Sequence, residues 1–281
     1  MEKDRPIGVI DSGVGGLTVL KWLQKKMPHE QFIFIGDTAR TPYGDRAREE
    51  IQRFVKEMTD CLARRKIKEL VVACNTITVL GLDTIRNGYD FDVIGMAKGA
   101  SNIREVTHNN KVGFFATDFT VSTGAHKREI ERLDPGVEVF GLGCPKLVPL
   151  IESEKFGRPE MQEAIKEYVD AMKVHGIDTL LLSCTHYPFL HDEIAAAFGP
   201  QVTVLDPAEM TTDEAIKHLQ NKGLLKTEGE GSLEVCFTAD LARCKRLASR
   251  MLDLAHARFH LIDLCLLYTS PSPETSAHLV C

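Results

Sequence analysis

The chain has 281 residues, 43% of them hydrophobic, and a formal net charge of −6 at pH 7. That length can bury one large core or two medium ones. The acidic balance argues against nucleic acid or an anionic membrane surface as the main partner, and no window is apolar enough to span a bilayer.

The elements predicted in chain order alternate strand and helix. Ile7–Ile10 reads as a short strand ending in DSGVGGL, and the glycines open a helix at Leu17. Phe32–Ile35 is the next strand and runs into the polar loop GDTARTPYGD. A long helix is expected over Ala47–Arg65, then a strand over Glu69–Val72, a helix near Thr78–Arg86 and a strand at Asp92–Gly95. The pattern restarts near Lys98. A strand at Lys111–Ala116, a helix over Phe119–Arg132, a strand at Val137–Gly141, a turn or short helix in Cys144–Ile151 and a helix over Pro159–Val174 follow. Thr179–Ser183 and Val202–Leu205 read as strands, Tyr187–Phe198 and Ala208–Leu219 as helices. Lys222–Gly231 reads as a loop, Leu233–Phe237 as a strand and Asp240–Leu254 as a helix. Such alternation predicts an α/β fold with mainly parallel sheets. Residues 265–281, with their Ser-Pro repeats, fit no element and are expected to be a disordered or non-native tail.

One stretch occurs twice. ELVVACNT at Glu69–Thr76 is an apolar strand that stops at a thiol, and TLLLSCTH at Thr179–His186 repeats it without a gap. The offset is 184 − 74 = 110, and Lys56, Glu57 and Asp60 find Lys166, Glu167 and Asp170 at the same spacing. Two similar halves are therefore expected, each presenting one cysteine at the C-terminal end of a strand. Cysteines within strands are usually small buried hydrophobes. Cys74 and Cys184 differ because polar residues that begin a helix follow each of them. A helix N-terminus lowers a thiol's pKa from about 8.5. The other cysteines lack that setting and read as structural. No CxxC pair occurs and the spacings are irregular, which speaks against a disulfide framework or a zinc site and for a reducing, cytoplasmic setting. The opening MEKDRPIGVI is not expected to be a secretion signal.

Further polar residues are candidates by position. Asp11 ends the first strand beside the glycine turn, where a carboxylate can hold an ammonium group or orient a thiol. DSGVGG departs from a GxGxxG dinucleotide fingerprint because Thr18 stands at its third glycine, although Asp37 ends the second strand. His186 adjoins Cys184 and could acidify it or bind a carboxylate. Glu152 closes the apolar segment LVPLIE. Two equivalent thiols on opposite sides of a cleft suit a two-base proton transfer: one removes a proton from carbon, the other returns one to the opposite face. The product is the inverted stereocentre, and no cofactor or metal is called for.

The motifs DSGVGGL, GDTARTPYGD, ACNT, CPKLVPLIE and CTHYP, in this order, resemble those of the glutamate racemases in the aspartate/glutamate racemase superfamily, over about residues 5–220. The resemblance implies cofactor-independent interconversion of L- and D-glutamate, supplying D-glutamate for peptidoglycan. It implies that Cys74 and Cys184 are the acid/base thiols, that Asp11 assists Cys74, and that His186 and Glu152 assist Cys184. It places Asp11, Ser12, Pro42, Tyr43, Gly44, Asn75, Thr76, Thr185 and His186 around the substrate. It also implies two three-layer domains related by a pseudo-twofold, with the active site in their cleft. Residues 1–97 and 207–264 would form the first and 98–206 the second, within a homodimer. Two departures stand out. Ser183 replaces a glycine usual before the second thiol, and GMAKGA replaces a proline-containing crossover at Gly95–Ala100. Aspartate racemisation, a one-thiol decarboxylase or isomerase, and a non-enzymatic module that binds acidic amino acids are the alternative readings.

Overall fold

The computed structural model describes residues 2–80, 82–97 and 100–264. The strands are β1 (Ile7–Asp11), β2 (Gln31–Gly36), β3 (Glu69–Val72), β4 (Asp92–Gly95), β5 (Lys111–Ala116), β6 (Glu138–Gly143), β7 (Thr179–Leu182), β8 (Thr203–Leu205), β9 (Ser232–Phe237) and β10 (Ala257–Leu261). The first helices are α1 (Leu17–Lys26), α2 (Arg48–Arg64), α3 (Asn75–Leu80), α4 (Asp83–Arg86), α5 (Ala100–Val106) and α6 (Asp118–Ser122). They are followed by α7 (Ala125–Leu133), α8 (Leu147–Glu152), α9 (Pro159–Lys173), α10 (His191–Phe198), α11 (Pro207–Asn221) and α12 (Leu241–Ala248).

Two sheets result, one of order β10-β9-β2-β1-β3-β4 and one of order β6-β5-β7-β8. Every pairing in them is parallel. β1, β3 and β7 are buried along their whole length, as central parallel strands covered on both faces must be. Amphipathic helices cover them. α2 buries Ile51, Phe54, Val55, Met58, Cys61 and Leu62, a three-and-four spacing that keeps one stripe on the core.

The sequence repeat is a structural one. β3 and β7 lie 110 residues apart (179 − 69), and α2 and α9 overlay at the same offset. The order β2-β1-β3-β4 recurs as β6-β5-β7-β8. Strands from both sides of the second sheet's segment, β1–β4 and β9–β10, share the first sheet.

Some elements differ from expectation. The predicted helix over Phe119–Arg132 is two helices, because Gly124 between them takes a left-handed φ of 62°. The helix expected at Tyr187–Phe198 begins as a 3-10 turn, Tyr187–Leu190, before α10. The helix expected to reach Leu254 stops at Ala248, and β10, absent from the sequence reading, follows it. β10 is an edge strand of Ala-Arg-Phe-His-Leu with no clean alternation. The crossover at Lys98 and the segment 265–281 lie outside the described residues.

Candidate active site

Both repeat strands end in the same way. The amide of Ala73 donates to Ile10 O at 2.8 Å, and that of Ser183 donates to Phe115 O at 2.8 Å. Each thiol comes next, and each chain then turns into helix: Thr78 N bonds Cys74 O, and Tyr187 N bonds Cys184 O, both at 3.0 Å. Cys74 and Cys184 line one cavity. Its walls come from the loops after five parallel strands: Ser12 after β1, Thr41–Gly44 after β2, Cys74–Thr76 after β3, Thr117 after β5 and Ser183–His186 after β7, with Val148 of α8. Ligands of α/β sheets bind at these C-terminal strand ends. Every described residue expected at the substrate lies on this wall or beside it.

Strand register gives these residues counterparts. Ile7 pairs with Glu69 and Val112 with Thr179. Since Glu69 and Thr179 are equivalent, Ile7 is equivalent to Val112, an offset of 112 − 7 = 105. Ser12 thus corresponds to Thr117, Asn75 to Thr185 and Thr76 to His186, but Asp11 corresponds to Ala116. The two halves share a scaffold and differ in charge: a carboxylate beside one thiol, an imidazole beside the other.

Asp11 is fully buried. Its Oδ2 accepts from Gly13 N at 2.8 Å and its Oδ1 from Thr185 Oγ1 at 3.2 Å. Burial raises its pKa, against the opposing charge of His186. Cys74 Sγ donates to Ser12 Oγ at 3.6 Å. Burial, and then the charge of Asp11, push Cys74 up to about 12. The helix-terminus argument alone predicts a lower value; in the closed site desolvation outweighs it. Burial likewise raises Cys144, and raises Cys244 to about 12, in keeping with their structural reading. The six described cysteines are free thiols.

On the other wall, His186 Nε2 meets Glu152 Oε1 at 2.8 Å. Burial opposes the imidazolium, but hydrogen bonds to Cys184 and Glu152 outweigh it and hold His186 well above the usual histidine range. Burial also opposes the Glu152 carboxylate. Its bond to His186 and the charges of His186 and Arg243 prevail and lower its pKa. Arg243 is a residue that sequence reasoning missed. Its Nη1 reaches Glu152 Oε2 and Glu152 O, both at 2.6 Å.

The glycine turn serves this pair. A Cβ on Gly13 would stand 2.6 Å from Glu152 Oε1, and one on Gly15 would stand 2.4 Å from His186 Nδ1. The turn is a seat for the acid–imidazole pair of the opposite wall. The second feature of a dinucleotide site is also spoken for: Asp37 accepts from Arg40 Nε at 2.6 Å, from Thr238 Oγ1 at 2.9 Å and from Tyr43 Oη. Tyr43 therefore lines the cavity while its hydroxyl points to Asp37, not to a ligand. Its phenol pKa lies well above its ordinary value, through burial and that carboxylate.

Three buried polar atoms on or beside the wall lack a hydrogen-bond partner among the described residues: Thr41 Oγ1, Asn75 Nδ2 and Ser183 Oγ. Buried polar groups are seldom left so, and these suit a polar ligand. No cluster of three or more His, Cys, Asp or Glu among the described residues is arranged to hold a metal. No described helix is long and apolar enough to cross a membrane.

The family profile for Asp/Glu/Hydantoin racemases matches residues 17–215. A glutamate racemase of Oceanobacillus iheyensis is 43% identical over 75% of this chain and 78% of its own. A glutamate racemase isoform of Bacillus anthracis superposes with a TM-score of 0.87 at 34% identity, covering 93% of this chain and 98% of that one. The glutamate racemase of Francisella tularensis in complex with D-glutamate gives 0.84 at 29% identity, over 93% and 98%. With thiols, acid and imidazole placed as above, the chain belongs to the Asp/Glu/hydantoin racemase family, in its glutamate racemase branch.

Proposed function

We propose that this chain interconverts L- and D-glutamate by proton exchange between Cα and the thiols Cys74 and Cys184, without a cofactor. The observation that carries this reading is the pair of thiols at equivalent strand ends on one cavity. The identity of the substrate comes from the relatives, whose names specify glutamate.

The two thiols start unequal. Cys74 holds its proton firmly. Cys184 is hydrogen-bonded to His186, a partner that Cys74 lacks. One acts as base and the other as acid. The Cys184 thiolate takes the Cα proton, and the electron pair left on carbon spreads into the adjacent carboxylate. Cys74 delivers its proton to the opposite face and becomes the thiolate. The other enantiomer runs the sequence in reverse. Charge developing on the carboxylate needs preset donors, and the Asn75 amide with the Ser12 and Thr76 hydroxyls supplies them.

The cavity has a volume of about 20 Å³, room for about one water molecule. Glutamate enters only when the walls part, and the bonds between them must open: Thr185 to Asp11, Thr18 Oγ1 to Thr185 O at 3.1 Å and Val14 N to Glu152 Oε1 at 3.3 Å. A closed, dry site then strengthens each electrostatic contact. Homodimeric assembly and a cytoplasmic location belong to this reading. The free thiols of the described cysteines support the latter.

The test is polarimetry on L- and D-glutamate in heavy water, with aspartate in parallel. Loss of optical rotation with one deuterium at Cα is expected, and Cys74→Ser and Cys184→Ser each abolish it. Two-way racemisation by either variant sinks the two-thiol mechanism. Release of carbon dioxide favours the decarboxylase reading, and binding without rotation change favours a binding module.

A further inference from the structure

Glu152 sits at the end of α8, which follows β6 of the second sheet, whereas Arg243 belongs to α12, which follows β9 of the first. Their contact spans the two sheets' layers. The acceptors of Glu152 are divided: Oε1 takes His186 Nε2 and Val14 N, and Oε2 takes Arg243 Nη1, which also holds the Glu152 carbonyl. Arg243 is itself oriented. Its Nε donates to Asp240 Oδ2 at 3.2 Å, and Asp240 Oδ1 caps α12 by accepting from Arg243 N at 3.2 Å. Side-chain exposure is 19% for Arg243, 9% for Glu152 and 3% for His186.

We propose that Arg243 is a positioning residue of the racemisation: it fixes the Glu152 carboxylate across the two layers and thereby sets the His186 ring against Cys184. The proposal rests on the reading above that His186 and Glu152 serve Cys184. A guanidinium suits the task because one planar group grips a carboxylate and a carbonyl at once. Without it the buried carboxylate keeps one cation instead of two, and its hold on the ring loosens. The charged and titratable groups facing Glu152 are His186 from the loop after β7, Arg243 and Asp240 at α12, Cys244 beside Arg243, and the Glu154–Arg246 pair next along. Asp11 faces His186 from β1. Of these, His186 and Arg243 favour the Glu152 carboxylate. Removal of Arg243 moves the protonation of Glu152 to higher pH.

The experiment compares Arg243→Gln, Arg243→Lys and Arg246→Gln with the unmodified chain, reading kcat, KM and the pH profile of kcat/KM on glutamate. Arg246→Gln removes a parallel tie, Arg246 Nε to Glu154 Oε1 at 3.0 Å, and serves as the control for a purely structural tether. Arg243→Gln is expected to lower kcat by about tenfold to a hundredfold, the scale of a small misplacement of a catalytic group. KM should change little and the acid limb should move to higher pH. Arg243→Lys keeps the charge, so its acid limb stays in place while kcat falls partway; it decides the matter if the glutamine variant does not fold. An unshifted acid limb with unchanged kcat in Arg243→Gln overturns the proposal, as does an equal shift in Arg246→Gln. Glu152→Gln separates the two levels. Full activity in that variant means the reading of the site has failed. Loss there with a normal Arg243→Gln profile means that only the role of Arg243 has failed.

Discussion

His186 stands against Gly15 so closely that a single added carbon at Gly15 would lie 2.4 Å from Nδ1 and 2.5 Å from Thr185 Oγ1. The imidazole beside one thiol is thus seated on the loop that carries Asp11 and Ser12 beside the other. Gly15→Ala is expected to displace the ring and to cost about a hundredfold in kcat. Far-ultraviolet circular dichroism should stay unchanged, since the sheets do not depend on the contact. Near-normal turnover in the alanine variant would show that the ring's seat is dispensable.

The chemical reactivity of Cys74 gives a second prediction. Its pKa, about 12, leaves little thiolate near neutrality. Alkylation proceeds through the thiolate. Peptide mapping after iodoacetamide should therefore show labelling of Cys74 rising about tenfold per pH unit from pH 7.5 to 9.5 without a plateau. A plateau below pH 9 would place the thiol far lower than burial and Asp11 dictate.

A third prediction concerns stability. Glu69 opens the strand that ends near Cys74, and its carboxyl is raised to about 8, by burial and then by the charge of Asp92. Protonated, it can donate to His218 Nδ1, 2.5 Å away. A raised folded-state pKa means that the folded chain holds a proton that the unfolded chain releases near 4.5. This contribution is complete below about 4.5 and is lost as pH rises towards 8. Thermal unfolding of the unmodified chain should lose midpoint temperature over that window more steeply than that of Glu69→Gln. Parallel curves would contradict the assignment.

Much of the candidate site was legible because the residues that gather at its cavity sit in local motifs. Cys74 and Cys184 declared themselves by a gapless repeat that carries helix, strand and thiol together. The correspondence of Ser12 with Thr117 did not, because their strands differ in offset by five residues from the thiol strands; only pairing register shows it. Arg243 was hidden for a related reason. Its partner lies 91 residues away, and a salt bridge across layers leaves no periodic trace. β10 was hidden because an edge strand need bury only part of itself. The strand-end setting of Cys74 was read correctly, yet the expected lowering of its pKa depends on solvent access, which sequence does not display.

The unequal partners of the two thiols carry one more consequence. In the proposed mechanism each turnover hands the proton from one sulfur to the other, so the enzyme that releases product is not the enzyme that bound substrate. It is poised for the mirror-image reaction. Before a second turnover in the same sense, the proton must travel back, through water admitted when the walls part. A carboxylate against Ala116 on one side, and an imidazole against Thr76 on the other, make these two resting forms unequal in energy. Mirror-image amino acids have equal free energy, so the forward and reverse values of kcat/KM must remain identical. The inequality can surface only in kcat and KM moving together, and in progress curves that slow differently from the two ends.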